Sequence, residues 1–119
     1  SSAASDVYKR QDYNWTAEAI TNVLDNAVKY TPSGGIVGLE ITEYPSYLRL
    51  DISDNGIGIP EEEQAKIFGR FYRGKQSAGI DGVGIGLYLT RDIINKQKGY
   101  IKVASDENGS IFSLFLKKD

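Results

Sequence analysis

The chain has 119 residues, of which 40% are hydrophobic and 25% charged, enough apolar material for one domain with a single core. Its 14 basic and 16 acidic residues give a formal net charge of −2, which argues against binding to nucleic acid or to a membrane surface. The absence of cysteine and histidine excludes disulfides, thiol or imidazole chemistry and a phosphoryl-accepting histidine within this chain. No apolar run is long enough to span a bilayer, and the absence of Met predicts a piece of a longer protein.

The amino-terminal part of the chain divides into a polar segment and a predicted helix. Residues 1–11 are small and polar without a hydrophobic period, so we expect a linker or an expression remnant there and a folded domain over 12–119. From Trp15 to Tyr30, apolar residues recur at spacings of three and four, which predicts an amphipathic helix that ends at Thr31-Pro32-Ser33-Gly34-Gly35. Its apolar stripe consists of Ile20, Val23, Leu24, Ala27 and Thr31. The opposite, polar stripe consists of Glu18, Asn22, Asn26 and Lys29.

Alternating apolar and polar residues predict two antiparallel hairpins. The first covers Val37–Ile52, with a turn around Tyr44-Pro45-Ser46. The second covers Ile101–Leu116, with a turn at Asn108-Gly109.

Between the hairpins we expect a short acidic helix from Glu61 to about Phe68, an irregular loop over 70–82 and a helix over Ile85–Lys96. Helices that follow and precede pairs of strands pack most simply on one face of a single sheet. The sequence therefore predicts a two-layer α+β domain with a mixed, mostly antiparallel sheet.

The polar stripe of the first predicted helix could bind a metal-nucleotide complex. Asn22 and Asn26 lie one turn apart, and their carboxamide oxygens are neutral, hard donors that suit a Mg²⁺ ion bridging phosphates. Lys29 would add positive charge near the same phosphates. The alternative is an ordinary solvated helix face.

A glycine-rich turn, Asp54-Asn55-Gly56-Ile57-Gly58-Ile59-Pro60, directly follows a predicted strand. A carboxylate fixed at a strand end can accept a hydrogen bond from an exocyclic amine such as that of adenine. Glycines beside it allow a flat ring to approach the backbone. Because Asp-Asn-Gly is also common turn chemistry, an ordinary turn remains the alternative.

Two further glycine-rich segments differ in how well they suit phosphate binding. Gly82-Val83-Gly84-Ile85-Gly86-Leu87 opens a predicted helix, where free backbone N–H groups favour an anion such as a triphosphate, but its glycine spacing does not match a dinucleotide fingerprint. Gly69 to Lys75 matches a P-loop only through its lysine, because Gln76 stands where Ser or Thr should bind Mg²⁺ and a predicted helix precedes it. Phe68 and Phe71 could anchor that loop or simply pack in the core.

Taken in order, these motifs resemble the ATP-binding catalytic domain of a bacterial sensor histidine kinase, a GHKL ATPase with the Bergerat fold. The resemblance covers about residues 12–117 and implies a two-layer α/β sandwich. The matching segments are Asn22–Pro32 (N box), Asp54–Pro60 (G1 box), Ile67–Arg73 (F box) and Gly82–Leu87 (G2 box).

The resemblance implies a set of site residues. Asn26 and Asn22 would position Mg²⁺, and Arg73 with Asn22 would act in catalysis, Arg73 by stabilising charge on the γ-phosphate. Residues 74–81 would form the mobile lid over the nucleotide. The implied ATP-binding residues are Asn22, Asn26, Lys29, Tyr30, Asp54, Gly56, Gly58, Ile59, Arg73, Gly82, Gly84, Gly86 and Leu87.

The branches of this superfamily differ in the residue that stands four positions before the Mg²⁺-binding asparagine. At that position, hydrolases similar to gyrase and MutL carry a water-activating Glu. Here that position is Asn22, and the nearest upstream acid, Glu18, lies about 6 Å further along the helix. The sequence therefore favours kinase chemistry over strong hydrolysis. A second departure is Gln97-Lys98-Gly99, which stands where many members have His-Gly-Gly.

The resemblance also implies partners. A histidine on a separate dimerisation domain would accept the phosphoryl group, and a response regulator would act downstream. We expect this chain to be a monomer without nucleic-acid partners, from the cytoplasmic portion of a membrane-anchored sensor kinase. The alternatives are an anti-sigma-type Ser/Thr kinase, which shares the same motifs, and a non-enzymatic interaction module with a degenerate nucleotide site.

Overall fold

The computed structural model describes the backbone of residues 3–70 and 86–118, and the side chains of 14–70 and 86–118. Expectations for Phe71, Arg73, Gly82, Gly84 and the lid over 74–81 lie outside the described residues. The order of elements agrees with the sequence prediction. It is α1 (Ala3–Tyr30), β1 (Val37–Glu43), β2 (Tyr47–Asp54), α2 (Glu61–Gln64), α3 (Gly86–Lys96), β3 (Tyr100–Asp106) and β4 (Gly109–Lys117).

The described strands form one sheet in the order β1-β2-β4-β3, and all its pairings are antiparallel. Each predicted hairpin is present, and β4 joins the two hairpins by pairing with β2. Opposed residues point to the same face of a sheet, so one row crosses all four strands. That row is Leu39, Ile52, Phe112 and Val103.

The core lies between one face of this sheet and the helices, as the α+β prediction requires. Ile52, Phe112 and Leu114 are almost completely buried beneath α1 and α3. Each helix contributes apolar residues at helical spacing, which is the amphipathic pattern expected of a helix packed on a sheet. These residues are Ala19, Val23 and Ala27 of α1 and Ile93 and Ile94 of α3.

Helix α1 begins at Ala3, much earlier than the hydrophobic pattern indicates. The apolar period starts near Trp15, yet the backbone of 3–11 is already helical. Once a helix is nucleated by packing, each added residue gains a hydrogen bond at little further cost, so a polar segment can extend it. A domain boundary at residue 12 remains a prediction.

Helix α2 is shorter than predicted, because it ends at Gln64 rather than near Phe68. The chain continues in tight turns in which Lys66 N–H donates to the Glu63 carbonyl (2.8 Å) and Gly69 N–H to the Lys66 carbonyl (2.9 Å). These turns accompany the burial of Phe68, whose ring meets Phe112 edge-on at 6.4 Å. The core-packing interpretation of Phe68 is thus confirmed.

Helix α3 ends in a Schellman motif in which a lysine occupies the position usually taken by glycine. Gly99 N–H donates to the Ile94 carbonyl (3.0 Å) and Lys98 N–H to the Asn95 carbonyl (3.0 Å). Lys98 has φ of 63°, within the left-handed region that penalises side chains with a Cβ atom. This is the central position of Gln97-Lys98-Gly99, where the resembling family often has glycine.

Substitution Lys98→Gly is expected to stabilise the protein by about 1 kcal/mol, because glycine adopts positive φ without steric cost. Thermal unfolding should show a midpoint a few degrees higher than that of the unmodified chain. The matched control is Lys96→Gly, which places glycine inside the right-handed part of α3 and should lower the midpoint. A fall in the midpoint for both variants would contradict the strain at Lys98.

The face of the sheet opposite the helices carries a network around Asp51. Arg49 Nε donates to Asp51 at 3.0 Å, and Ser113 Oγ donates to the same carboxylate at 2.5 Å. Burial opposes ionisation of Asp51, but the hydrogen bonds from Ser113 and Arg49 outweigh it and hold the pKa of Asp51 below its ordinary value. Beside this network, Tyr100 stacks on Phe115 with ring centroids 4.3 Å apart.

Asp51 should make stability depend on pH. Because its pKa is lower in the folded than in the unfolded chain, its contribution is present above the unfolded pKa of about 3.9 and is lost as pH falls through the folded pKa. Denaturant unfolding of Asp51→Asn should therefore differ most from the unmodified chain near pH 6 and converge towards pH 2. Asp92, which is half-exposed and paired with Lys96, provides the control, and Asp92→Asn should have a smaller effect at pH 6. An equal pH profile for the two variants would contradict the role of Asp51.

Candidate functional site

The polar stripe of α1 is only partly a solvated surface. Glu18 and Lys29 are exposed, whereas Asn22 and Asn26 are half-buried. Within the described residues, the Asn22 amide nitrogen Nδ2 is buried and has no hydrogen-bond partner. An unpaired buried donor costs about 1–3 kcal/mol, so Asn22 fits a ligand or water oxygen. Lys29 lies in the last turn of α1, where a cation also stabilises the helix dipole.

The Asp54 carboxylate is held by the loop that it begins. We refer to residues 54–60 as the 54–60 loop. Asp54 Oδ1 accepts the Gly56 N–H at 2.9 Å, which fixes the orientation of the carboxylate at the end of β2. Asn55 forms two hydrogen bonds with the backbone of Ile36. Asn55 Oδ1 accepts the Ile36 N–H (2.8 Å), and the Asn55 N–H donates to the Ile36 carbonyl (3.2 Å). Among the described residues, Asp54 Oδ2 accepts no hydrogen bond.

Two glycines allow the 54–60 loop to approach its neighbours closely. Gly56 is buried, and a Cβ atom there would collide with the Tyr30 carbonyl oxygen at the end of α1. Gly58 has φ of 77°, and a Cβ atom there would collide with the Asp106 carbonyl. The loop is therefore more constrained than an ordinary exposed turn, and it brings Asp54 and Gly56 next to Tyr30.

The far end of the loop is held by two residues that sequence reasoning missed. Ile59 N–H donates to Ser105 Oγ at 2.7 Å, and its carbonyl accepts from Gln64 Nε2 at 2.9 Å. Ser105 lies 46 residues from Ile59 along the chain, so no local pattern indicates this contact. Only the observed packing of β3 beside the loop reveals it.

Helix α3 begins with the last two residues of the G2 box, Gly86 and Leu87. Thr16 Oγ1 donates to Gln97 Oε1 at 2.8 Å and joins the middle of α1 to the residue that follows α3. Leu87, in the first turn of α3, packs against the core. The first residue of α3, Gly86, is exposed.

The residues that the sequence predicts to bind a nucleotide are contributed by different elements of the fold. The carboxamides of α1, the carboxylate of Asp54 and the beginning of α3 come from three segments that are distant in sequence. Among the described side chains, those of residues 14–70 and 86–118, no group of three or more acidic residues could hold a metal ion. A Mg²⁺ ion at this site would therefore depend on asparagine and phosphate oxygens, a donor set that Mg²⁺ accepts.

Comparison with known proteins decides the family. The model of histidine kinase-, DNA gyrase B- and HSP90-like ATPases matches residues 11–119. The chain belongs to this family. Membership confirms the resemblance drawn from the four motifs and supports ATP binding by this histidine kinase-like ATPase domain.

Its relatives include sensor histidine kinases. The chain is 40% identical over 115 residues to the sensor histidine kinase Hik2 of Synechocystis sp., covering 84% of this chain and 26% of that protein. The solved mycobacterial sensor histidine kinase MprB has 34% identity and a TM-score of 0.77, covering 84% of this chain and 70% of that chain. Full-length ShkA, solved in complex with AMPPNP, has 26% identity and a TM-score of 0.72, and the match covers 83% of this chain and 20% of that chain.

This ATPase domain spans 26% of the length of Hik2. None of the helices in the described part of the chain is both long enough and apolar enough to cross a membrane.

Proposed function

We propose that this domain binds Mg-ATP and donates the γ-phosphoryl group to a histidine on a separate dimerisation domain of a two-component sensor kinase. The main support is the buried Asn22 amide, which has no partner among the described residues although it lies beside the other predicted phosphate ligands on α1. Family membership supports the ATP-binding part. A response regulator would receive the phosphoryl group in a later step.

The nucleotide base would bind at the 54–60 loop. Asp54 Oδ1 is engaged by Gly56 N–H, so Oδ2 is the atom available to accept the exocyclic amine of adenine. The tight approach of Gly56 to Tyr30 leaves no side chain between the loop and the end of α1. Tyr30 would then line the adenine or ribose side of the site.

The phosphates would lie along the polar stripe of α1. Asn26 and Asn22 would hold Mg²⁺ and phosphate oxygens, and the exposed Lys29 would add positive charge. Mg²⁺, when bound, supplies neutralisation of the charge on the phosphates during transfer. Arg73 is proposed, on the resemblance alone, to stabilise charge on the γ-phosphate.

The acceptor has to come from outside this sequence. The chain contains no histidine, so it cannot form phosphohistidine on itself. The position where related hydrolases carry a water-activating Glu is occupied by Asn22, which has no basic group to activate water. Both features fit transfer to a partner domain better than hydrolysis.

The direct test of binding is calorimetry of this chain with a non-hydrolysable ATP analogue, with and without Mg²⁺, and with the GTP analogue as a control. We expect adenine-selective, Mg-dependent binding in the micromolar to millimolar range, which corresponds to about 4–8 kcal/mol. Absence of binding by a folded sample would contradict the proposal and favour an interaction module.

The test of transfer uses radiolabelled ATP and the dimerisation domain of the same kinase. Label on that domain that is lost in acid and kept in base is expected, because phosphohistidine is acid-labile. A matched domain with the acceptor histidine replaced by alanine should remain unlabelled. Acid-stable label on a serine-bearing partner would support the anti-sigma-type alternative instead.

A further inference from the structure

The far end of the 54–60 loop is attached to the second hairpin through the hydroxyl of Ser105. Ser105, on β3, accepts the Ile59 N–H at 2.7 Å. Its hydroxyl also lies 3.0 Å from the Gly109 carbonyl, to which it donates, and 2.8 Å from Ser110 Oγ. A hydroxyl supplies one donor and two acceptor sites, so these contacts use its full capacity.

Gln64 completes the attachment from the other side. Its Nε2 group donates to the Ile59 carbonyl at 2.9 Å and to the Ser105 carbonyl at 3.2 Å. Both backbone polar groups of Ile59 are therefore held by side chains from elements outside the loop. The opposite end of the loop is fixed through Asp54, Asn55 and their partners. The loop is thus restrained at both ends by side-chain hydrogen bonds.

We infer that Ser105, assisted by Gln64, is a positioning residue for the nucleotide site, a role that rests on the proposed ATP binding. Neither residue lies in one of the four motifs, so the sequence alone does not assign either of them to the site. Their function is to hold the 54–60 loop in one conformation before the nucleotide arrives. A loop that is already ordered loses less conformational entropy on binding, so affinity is higher than with a mobile loop.

Replacement Ser105→Ala tests this role because it removes the acceptor of the Ile59 N–H and leaves the strand intact. We expect the Ile59 amide to exchange with solvent about tenfold faster, and affinity for the Mg-bound ATP analogue to fall by a similar factor. Ser105→Thr retains the hydroxyl and should restore both values. Gln64→Ala provides a second variant, because it removes the hydrogen bond to the Ile59 carbonyl and so loosens Ile59 from the other side.

The matched control is Ser113→Ala. Ser113 is also a serine of the β3–β4 hairpin with a structural hydrogen bond, but its hydroxyl donates to Asp51 on the opposite face of the sheet. Its loss should lower the melting temperature without changing Ile59 exchange or nucleotide affinity. Measurements well below the melting temperature of each variant separate a positioning role from a general loss of stability.

The outcomes separate the two proposals. If the unmodified chain binds the ATP analogue and Ser105→Ala binds it equally well, or Ile59 exchange is unchanged, the positioning role is wrong. If Ser113→Ala weakens binding as much as Ser105→Ala, the effect is general destabilisation and the role is also wrong. Failure of the unmodified, folded chain to bind at all would instead overturn the proposed function on which the role depends.

Discussion

Substitution Asn26→Ala is expected to abolish the Mg-dependent part of ATP-analogue binding. Removal of even an outer-shell partner of a metal ligand typically weakens metal binding by about 10- to 100-fold, so loss of a direct ligand should weaken it at least as much. Asn26 is half-buried on α1 and lies one helical turn from Asn22, whose buried amide nitrogen has no hydrogen-bond partner among the described residues. Calorimetry with and without Mg²⁺ should therefore show nearly equal, weak affinities for the variant.

The fold should tolerate this change. Alanine is the strongest helix former, and a half-buried polar residue contributes little to the core, so the melting temperature without nucleotide should stay within a few degrees. Asn95→Ala, at an exposed position near the end of α3, provides the matched control and should leave binding unchanged. Unfolding of Asn26→Ala without nucleotide would show that Asn26 is a structural residue. Unchanged Mg-dependent binding would remove it from the site.

The fold could be predicted from the sequence because its main elements carry their own periodicity. The alternation around Leu50 and Ile52 and the helical spacing of Val23 and Ala27 both correspond to buried residues. The same kind of alternation in β1 does not lead to burial, and Leu39 is 50% exposed. β1 lies at the edge of the sheet, and periodicity reports the conformation of a strand but not its place in the sheet.

The site could be predicted only where its residues lie in local motifs. Asp54 and Gly56 belong to one turn, and Asn22 and Asn26 to one helix face, so each pair is visible as a short pattern. Ser105 reaches the loop only because β3 and β2 are brought close by their common neighbour β4. That relation depends on long-range pairing, which a single sequence does not reveal.

Substitution Asp54→Asn should change nucleotide selectivity more than stability. In the present structure Oδ1 accepts the Gly56 N–H, and an asparagine can keep this bond by placing its own oxygen there. Its NH₂ group then replaces Oδ2, and a donor faces the adenine amine where an acceptor stood before. Two opposed donors leave a polar group unpaired, so ATP-analogue affinity should fall by about a hundredfold.

Guanine carries a carbonyl oxygen where adenine carries its amine, so the same asparagine NH₂ group could donate to GTP. Calorimetry with both analogues should show the ATP-to-GTP preference reduced or reversed in Asp54→Asn. The matched control is Asp51→Asn, which makes the same change three residues earlier in β2 but next to Ser113 on the opposite face of the sheet, and it should leave the preference intact. Because both variants replace a β2 carboxylate with a carboxamide, a difference between them isolates recognition of the base from the loss of charge. An unchanged preference in Asp54→Asn would show that the base is recognised elsewhere.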